Sequence, residues 1–233
     1  MNRTVILSTN DNPAYFSYIP YVRKAWNLFG WKTIIFHLGD QEIVDDDLNS
    51  SVNVERIDGV KDETVVQTIR LFGHHYTDGL IMTSDMDMLP MSNYWNPDPD
   101  EITCYGTDLT GYKHYPICYI AMNEKNWSRV IPETDLKELL EKYNQHKSQA
   151  FNDWWFTDQD IITERLSKEK VNSILRGHYI NGMALNRIDR IDWNNTLRAE
   201  GIKIDAHLPK VFNENVMNDL METVRQQTGE TND

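Results

Sequence analysis

Two carboxylates separated by one residue follow a short apolar segment near the middle of the chain. The segment 80–84 reads Leu-Ile-Met-Thr-Ser, and Asp85 and Asp87 come directly after it. In extended backbone, residues two apart point to the same side, so both carboxylates can face one small volume. Two like charges that close are costly unless a positive charge lies between them. The pair therefore favours a site for Mg²⁺ or Mn²⁺ that also binds substrate phosphates, although Asp is common in the turns that end strands.

The segments before this pair alternate between two periods. Short apolar runs predict strands at 5–7, 33–36, 52–54 and 80–83. Apolar residues spaced by three and four predict helices at 19–29 and 64–76. This alternation implies an α/β fold in which helices cover both faces of a mostly parallel sheet. Ligands of such sheets bind beyond the carboxyl ends of the strands, where Asp85 and Asp87 are expected.

The second half of the chain is less regular. An apolar run predicts a strand at 117–122, and periodicity predicts helices at 136–147, 158–168 and 216–226. No Pro- or Gly-rich linker divides the sequence, so a single domain is expected over residues 1–225. Residues 226–233 are rich in Thr, Gly, Asn and acids, a composition typical of a disordered tail.

Charge and composition exclude several classes of partner. The 233 residues include 23 Lys and Arg against 36 Asp and Glu, a formal net charge of −13. Such a chain repels a nucleic-acid backbone and an anionic membrane surface, and it has no apolar stretch long enough to span a bilayer. Cys104 and Cys118 form no CxxC motif, so both are expected to be free thiols. Together with an N-terminus that lacks a long apolar region, they predict a cytoplasmic location.

Five further segments accompany the carboxylate pair. They are 5–12 (VILSTNDN), Arg70 within 64–76, 119–127 (YIAMNEKNW), 156–162 (FTDQDII) and 205–210 (DAHLPK). In this order they resemble the GT-A fold nucleotide-sugar glycosyltransferases, in particular retaining family 8, which includes glycogenin and bacterial lipopolysaccharide galactosyltransferases. The resemblance implies a single GT-A domain that moves a sugar from a UDP-sugar to a hydroxyl of a glycan or another acceptor, with retention of the anomeric configuration.

The resemblance also implies roles for individual residues. The implied contacts with the nucleotide sugar are Thr9, Asn10, Asp11, Tyr15, Arg70, Ser84, Asp85 and Lys210. Asp85, Asp87 and His207 would hold Mn²⁺ or Mg²⁺. Asp158 would position the two sugars, and Gln159 would lie near the anomeric carbon.

The sequence departs from the family pattern at three places. Pro116-Ile117-Cys118 stands where the family has a small Asn-Ala-Gly stretch, and Thr163 replaces the usual Asn after the DQD segment. The spacing from His207 to Lys210 is short and lacks the family's glycine. The identities of the sugar and the acceptor therefore do not follow from the resemblance.

Three other functions are compatible with parts of the pattern. A phosphatase of the haloacid-dehalogenase type would use Asp85 as a nucleophile, but its motif usually opens the chain. A nucleotidyltransferase would share the sheet and the metal, but usually has a Gly-rich basic loop that residues 9–13 do not provide. A lectin-like binding module would not need paired carboxylates near Arg70.

Overall fold

The structure, a computed structural model, describes residues 1–106, 115–146, 156–174, 179–180, 183–184, 187–188, 190 and 203–229. The strands are β1 (Arg3–Asn10), β2 (Lys32–Leu38), β3 (Asn49–Asn53), β4 (Leu80–Thr83), β5 (Met88–Pro90), β6 (Ile102–Tyr105), β7 (Ile120–Asn123), β8 (Val171–Ile174), β9 (Tyr179–Ile180), β10 (Met183–Ala184), β11 (Arg187–Ile188) and β12 (Asp205–His207). The α-helices are α1 (Pro13–Phe16), α2 (Ile19–Leu28), α3 (Asp62–Ile69), α4 (Glu124–Val130), α5 (Leu136–His146), α6 (Thr157–Leu166) and α7 (Glu214–Thr228). Short 3₁₀ helices cover Arg70–His75 and Ile117–Tyr119.

A seven-stranded sheet in the order β3-β2-β1-β4-β7-β6-β8 forms the centre of the molecule. Strands β3, β2, β1 and β4 are parallel to one another. Strand β7 is antiparallel to both β4 and β6, whereas β8 is parallel to β6. The α/β architecture with a mostly parallel sheet that the sequence predicts is confirmed.

Apolar side chains are buried on both faces of this sheet. Val5 and Leu7 of β1 point into a cluster that includes residues of α2 and α7, whereas Ile6 points into a second cluster with residues of α3 to α6. All three side chains are fully buried. This double burial explains why the central strands read as continuous apolar runs rather than as alternating ones. Among the described residues, no helix has the length and apolar composition that crossing a bilayer requires.

Two of the predicted elements differ in the structure. Helix α3 ends at Ile69, and the segment Arg70–His75 tightens into a 3₁₀ helix. A Cβ on Gly73 would lie 2.4 Å from Cγ1 of Ile6, so this turn packs directly on β1. The predicted strand at 117–122 begins instead as a 3₁₀ helix, because Thr83 Oγ1 donates a 2.6 Å hydrogen bond to the Ile117 carbonyl and fixes it beside β4.

The last helix is longer than the predicted helix at 216–226. Helix α7 continues to Thr228, and Gly229 follows it with a left-handed φ of 74°. Residues 226–228 therefore belong to the last helical turn, and the extent of the domain over residues 1–225 stays a prediction. The remainder of the predicted tail, residues 230–233, lies outside the described residues.

A small second sheet was not predicted from the sequence. It has the order β11-β12-β5, and β12 is antiparallel to β5 with His207 opposite Met88. The Leu208 amide also donates a 2.8 Å hydrogen bond to the Asp87 carbonyl. This pairing brings a segment from the end of the chain beside the two carboxylates that follow β4.

Candidate functional site

A cavity of about 470 Å³ opens at the carboxyl ends of β1 and β4. Its described lining residues are Ser8, Thr9, Asn10, Asn12, Tyr15, Glu63, Val66, Gln67, Arg70, Asp85, Met86, Asp87, Ile117, Asp158, Gln159, Arg190 and His207. Most of them come from the ends of parallel strands and from the helices that follow them, which is the usual place for ligands in such sheets.

The two carboxylates reach this cavity from a turn and not from extended backbone. The Ser84 amide donates to the Ile6 carbonyl and fixes the end of β4, and the Met88 amide donates to the Asp85 carbonyl over 3.1 Å. A turn over residues 85–88 therefore separates β4 from β5, and Met86 within it is buried. Asp85 and Asp87 still line one cavity, but each carboxylate meets a different arginine.

Arg70 lies at the junction of α3 and the 3₁₀ helix and is almost fully buried. Its guanidinium forms an ion pair with Asp85, and its Nη2 lies 2.7 Å from Oδ2 of Asp158. It also donates to the carbonyls of Ser84 and Gln67 over 3.0 and 3.1 Å. These four acceptors hold the guanidinium in one position between β4 and α6.

Burial has opposite consequences for the two partners Arg70 and Asp158. Burial raises the pKa of Asp158 to about 6, and the charge of Arg70 offsets only part of this effect. Burial alone would lower the pKa of Arg70, but the carboxylates of Asp85 and Asp158 reverse this and raise it. The guanidinium therefore stays charged while two carboxylates share it.

Asp87 is held by two residues from the C-terminal part of the chain. Its Oδ2 forms an ion pair with Arg190 and lies 3.6 Å from Nε2 of His207. Burial would raise the pKa of Asp87, but the nearby groups of His207 and Arg190 outweigh it, and the pKa is lowered. Arg190 Nε in turn donates a 2.9 Å hydrogen bond to the Leu208 carbonyl, which follows His207 in the chain.

The end of β1 and the following turn form one wall. Thr9 is buried, and its hydroxyl donates to the Asn10 carbonyl over 3.0 Å. The Asn10 side chain accepts from the Asn12 amide, and Asn12 caps α1 by accepting from the Ala14 amide. Tyr15 of α1 lines the same wall, and burial followed by the charge of Asp87 raises its phenolic pKa. Three of the residues predicted here, Thr9, Asn10 and Tyr15, therefore lie together.

The fourth residue predicted at this wall, Asp11, forms hydrogen bonds with β2 and the loop after it. Its carboxylate accepts from the Asp40 amide over 2.8 Å and lies 2.9 Å from Nε2 of His37. These hydrogen bonds, led by that of the Asp40 amide, lower the pKa of Asp11. The side chain fastens the loop after β2 to the end of β1, and Asp11 is not among the described lining residues of the cavity.

The other predicted residues also differ in whether they line the cavity. Gln159 lines the cavity beside Asp158, and its amide donates to Asp158 Oδ1 over 2.8 Å. Ser84 is fully buried and contributes its carbonyl to Arg70 rather than a side chain to the cavity. Lys210 is exposed and, like Ser84, is not one of the described lining residues.

The predicted metal ligands have suitable chemistry but are not arranged around one point. Two carboxylates and an imidazole are ligands that Mn²⁺ accepts, with Mg²⁺ less suited to the imidazole. In the described part of the chain, however, no group of three or more His, Cys, Asp or Glu side chains is gathered as a metal site. The ion pairs of Asp85 with Arg70 and of Asp87 with Arg190 account for this arrangement.

Several lining residues were missed by the sequence analysis. Glu63, Val66 and Gln67 precede Arg70 by three to seven residues, so helical periodicity alone places them on the same face of α3. Asn12 follows two residues that were identified. Arg190, in contrast, lies 103 residues from Asp87 and in a segment without apolar periodicity, so no sequence signal connects the two.

Comparisons with known proteins identify the fold and not the family. No protein-family model and no curated protein sequence matches the chain. An active-site mutant of LgtC superposes with a TM-score of 0.56 and 12% identity, over 97% of this chain and 99% of that one. The galactosyltransferase LgtC in complex with donor and acceptor sugar analogs gives a TM-score of 0.57 at 13% identity, over 94% and 95% of the two chains.

A second glycosyltransferase has a similar structure. GlyE from Streptococcus pneumoniae TIGR4, in its apo form, superposes with a TM-score of 0.55 and 11% identity, over 96% of this chain but only 60% of that one. At such identities the similarity concerns the arrangement of strands and helices. The chain has the GT-A-like fold of the glycosyltransferases.

Proposed function

We propose that this protein is a metal-dependent glycosyltransferase of the retaining type found in family 8. It transfers a sugar from a nucleotide diphosphate donor, a UDP-sugar, to a hydroxyl group of a glycan or another acceptor. The observation that carries the proposal is the cavity at the carboxyl edge of the sheet, which combines Asp85, Asp87, His207 and Arg70 with Asp158 and Gln159 in a GT-A-like fold.

The charge of the cavity supports the metal dependence. Among its described lining residues, two arginines face the four carboxylates of Glu63, Asp85, Asp87 and Asp158. Above about pH 6, where Asp158 is ionised, these four carboxylates exceed the two guanidinium groups by two negative charges. A diphosphate would add further negative charge, so its binding calls for a cation that it brings with it.

Asp85, Asp87 and His207 would hold this cation. When bound, a divalent cation supplies positive charge that stabilises the leaving diphosphate. For Asp85 and Asp87 to become ligands, each must turn from its arginine. The approach of a dianionic diphosphate makes this exchange favourable, because each guanidinium then gains phosphate oxygens as new acceptors.

The other residues of the cavity would bind and orient the donor. Thr9, Asn10 and Tyr15 form the wall that would contact the nucleoside, and the hydroxyl of Tyr15 lies near Arg190 and Asp87. Arg70 would contact the diphosphate and the sugar. Asp158 keeps Arg70 in place through its 2.7 Å contact and so would position the donor indirectly.

The reaction would proceed on the face of the sugar from which the diphosphate leaves. Asp158 is buried, and its two oxygens contact Arg70 and the Gln159 amide, so it is poorly placed as a nucleophile. In the proposed step the bond from the anomeric carbon to the phosphate oxygen breaks, and a bond to the acceptor oxygen forms on the same face. The acceptor proton passes to the leaving phosphate, which gives retention without a covalent intermediate.

The cysteines support a cytoplasmic location for this activity. Cys104 is buried in the core and Cys118 is partly buried, and both are free thiols. Burial raises the pKa of Cys104, so it stays protonated at neutral pH. Free thiols of this kind suit a reducing compartment.

A thermal-shift experiment with nucleotide sugars tests the proposed function. We expect a UDP-sugar to raise the melting temperature in the presence of Mn²⁺ and to have little effect with EDTA, because only the native state binds both. Asp87→Asn should lose this shift, whereas Asp47→Asn, which removes an exposed carboxylate, should keep it. No shift with any nucleotide sugar and metal would contradict the proposal.

A further inference from the structure

Arg190 occupies the position next to Asp87 that a metal ion would need. Its guanidinium pairs with Oδ2 of Asp87, the same oxygen that lies 3.6 Å from Nε2 of His207. Its Nε is anchored to the Leu208 carbonyl over 2.9 Å. A positive side chain therefore already neutralises the carboxylate that the proposed metal site requires.

A divalent cation and this guanidinium cannot share Asp87 without strong repulsion. Both would carry positive charge within a few ångströms in a partly buried cavity, where such interactions are poorly screened. Binding of metal at Asp87 and His207 must therefore displace the guanidinium of Arg190. A metal ion that binds alone leaves the displaced guanidinium without the carboxylate.

The two arginines of the cavity differ in how much of the side chain is exposed. Arg70 contacts two carboxylates and two carbonyls, and 5% of its side chain is exposed. Arg190 contacts Asp87 and the Leu208 carbonyl among its described partners, and 21% of its side chain is exposed. The phenol of Tyr15 is also within hydrogen-bond reach of Arg190. The guanidinium of Arg190 thus lies at the cavity surface, where a donor would contact it.

We propose that Arg190 is an exchangeable counter-ion of Asp87. In the donor-free protein it neutralises Asp87 and keeps metal affinity low; when a divalent cation and the donor bind together, it moves onto the diphosphate. This inference rests on the proposed function. Because the donor offers Arg190 an anionic partner in exchange for Asp87, metal and donor should bind cooperatively, each raising the affinity for the other by the same factor.

Mn²⁺ binding, followed by electron paramagnetic resonance of the free ion, tests this exchange without an activity assay. For the wild-type protein we expect UDP to raise the affinity for Mn²⁺ by about tenfold or more, within the usual range of such coupling. Arg190→Gln, which can still donate to the Leu208 carbonyl, should bind Mn²⁺ alone about tenfold more tightly and show much weaker coupling to UDP. Arg129→Gln removes a charge from an exposed surface pair and should behave as the wild type.

The possible negative results of this experiment distinguish the counter-ion role of Arg190 from the proposed function. If the wild type binds UDP with Mn²⁺ but Arg190→Gln has unchanged or weaker affinity for Mn²⁺ alone, the counter-ion role is overturned and the proposed function stands. If the wild type shows no coupling between UDP and Mn²⁺, the exchange is also overturned, whatever the variants do. If the wild type binds neither, both proposals fail. Circular dichroism checks the fold of Arg190→Gln, and Arg190→Met replaces it in the same comparison where it does not fold.

Discussion

Replacing Asp158 by asparagine removes a buried charge with almost no change in side-chain size. Asp158 is 1% exposed and contacts Arg70 at 2.7 Å, so two opposing effects act on its carboxyl group. Burial favours the protonated form, and the guanidinium favours the ionised form. In this cavity burial prevails, because Arg70 is shared with Asp85, and the pKa of Asp158 rises to about 6 from the ordinary value of 3.8.

The raised pKa determines how stability should change with pH. Below about pH 4 the group is protonated in both the native and the unfolded state and has no effect. Between pH 4 and 6 the native state holds the proton more tightly, so the free energy of unfolding falls as the pH rises. A shift of about 2 units corresponds to about 3 kcal/mol, at about 1.4 kcal/mol per unit, and this loss is complete above pH 6.

Urea denaturation of the wild type and of Asp158→Asn at pH 4 and pH 7 measures this contribution. The wild type should lose up to about 3 kcal/mol of unfolding free energy between pH 4 and pH 7 through this group. The variant lacks the titrating group and should not show this loss. Any constant cost of leaving Arg70 with one carboxylate cancels in the comparison between the two pH values. The same comparison for Asp47→Asn should show no such change. The reasoning is refuted if the unfolding free energy of Asp158→Asn relative to the wild type stays constant between pH 4 and pH 7, or falls as the pH rises. Either result would mean that Arg70 offsets the effect of burial on Asp158.

Three further predictions concern the site and its support. Asp87→Asn should abolish Mn²⁺-dependent binding of UDP in calorimetry while leaving the circular dichroism spectrum unchanged; full turnover by this variant in EDTA would contradict the metal site. Gly39→Ala should lower stability by about 1–3 kcal/mol in urea denaturation, because its Cβ would lie 2.2 Å from Oδ1 of Asp11; an unchanged midpoint would show that Asp11 moves freely. The first product seen by NMR should keep the donor's anomeric configuration, and an inverted product would exclude the proposed front-face reaction.

The parts of the fold that follow from the sequence are those with continuous apolar runs. Strands β1, β2 and β4 are buried on both faces, so their composition indicates them, and their order with the intervening helices predicts the sheet. The position of Asp85 and Asp87 at its carboxyl edge follows from the same rule. Strands β5 and β12 have three residues each and pair across more than a hundred positions, so no local pattern indicates them.

The details of the site depend on tertiary contacts that sequence patterns do not contain. The position of Asp11 in the chain suggests a ligand-binding residue, but its carboxylate accepts hydrogen bonds from backbone amides of the loop after β2. The backbone at Asp85 forms a turn because the Met88 amide finds an acceptor there. Arg190 pairs with Asp87 although the two residues are 103 positions apart in the sequence. For Asp11 and Arg190, the partners Asp40 and Asp87 lie 29 and 103 residues away in the sequence.

A crystal structure of the protein with Mn²⁺ and UDP, with anomalous data collected for manganese, tests the central claim most directly. We predict an anomalous peak bound by Asp85, Asp87 and His207, with the diphosphate of UDP on the same ion. Well-ordered UDP elsewhere on the molecule, with no peak in this cavity and both carboxylates still paired with Arg70 and Arg190, would contradict it.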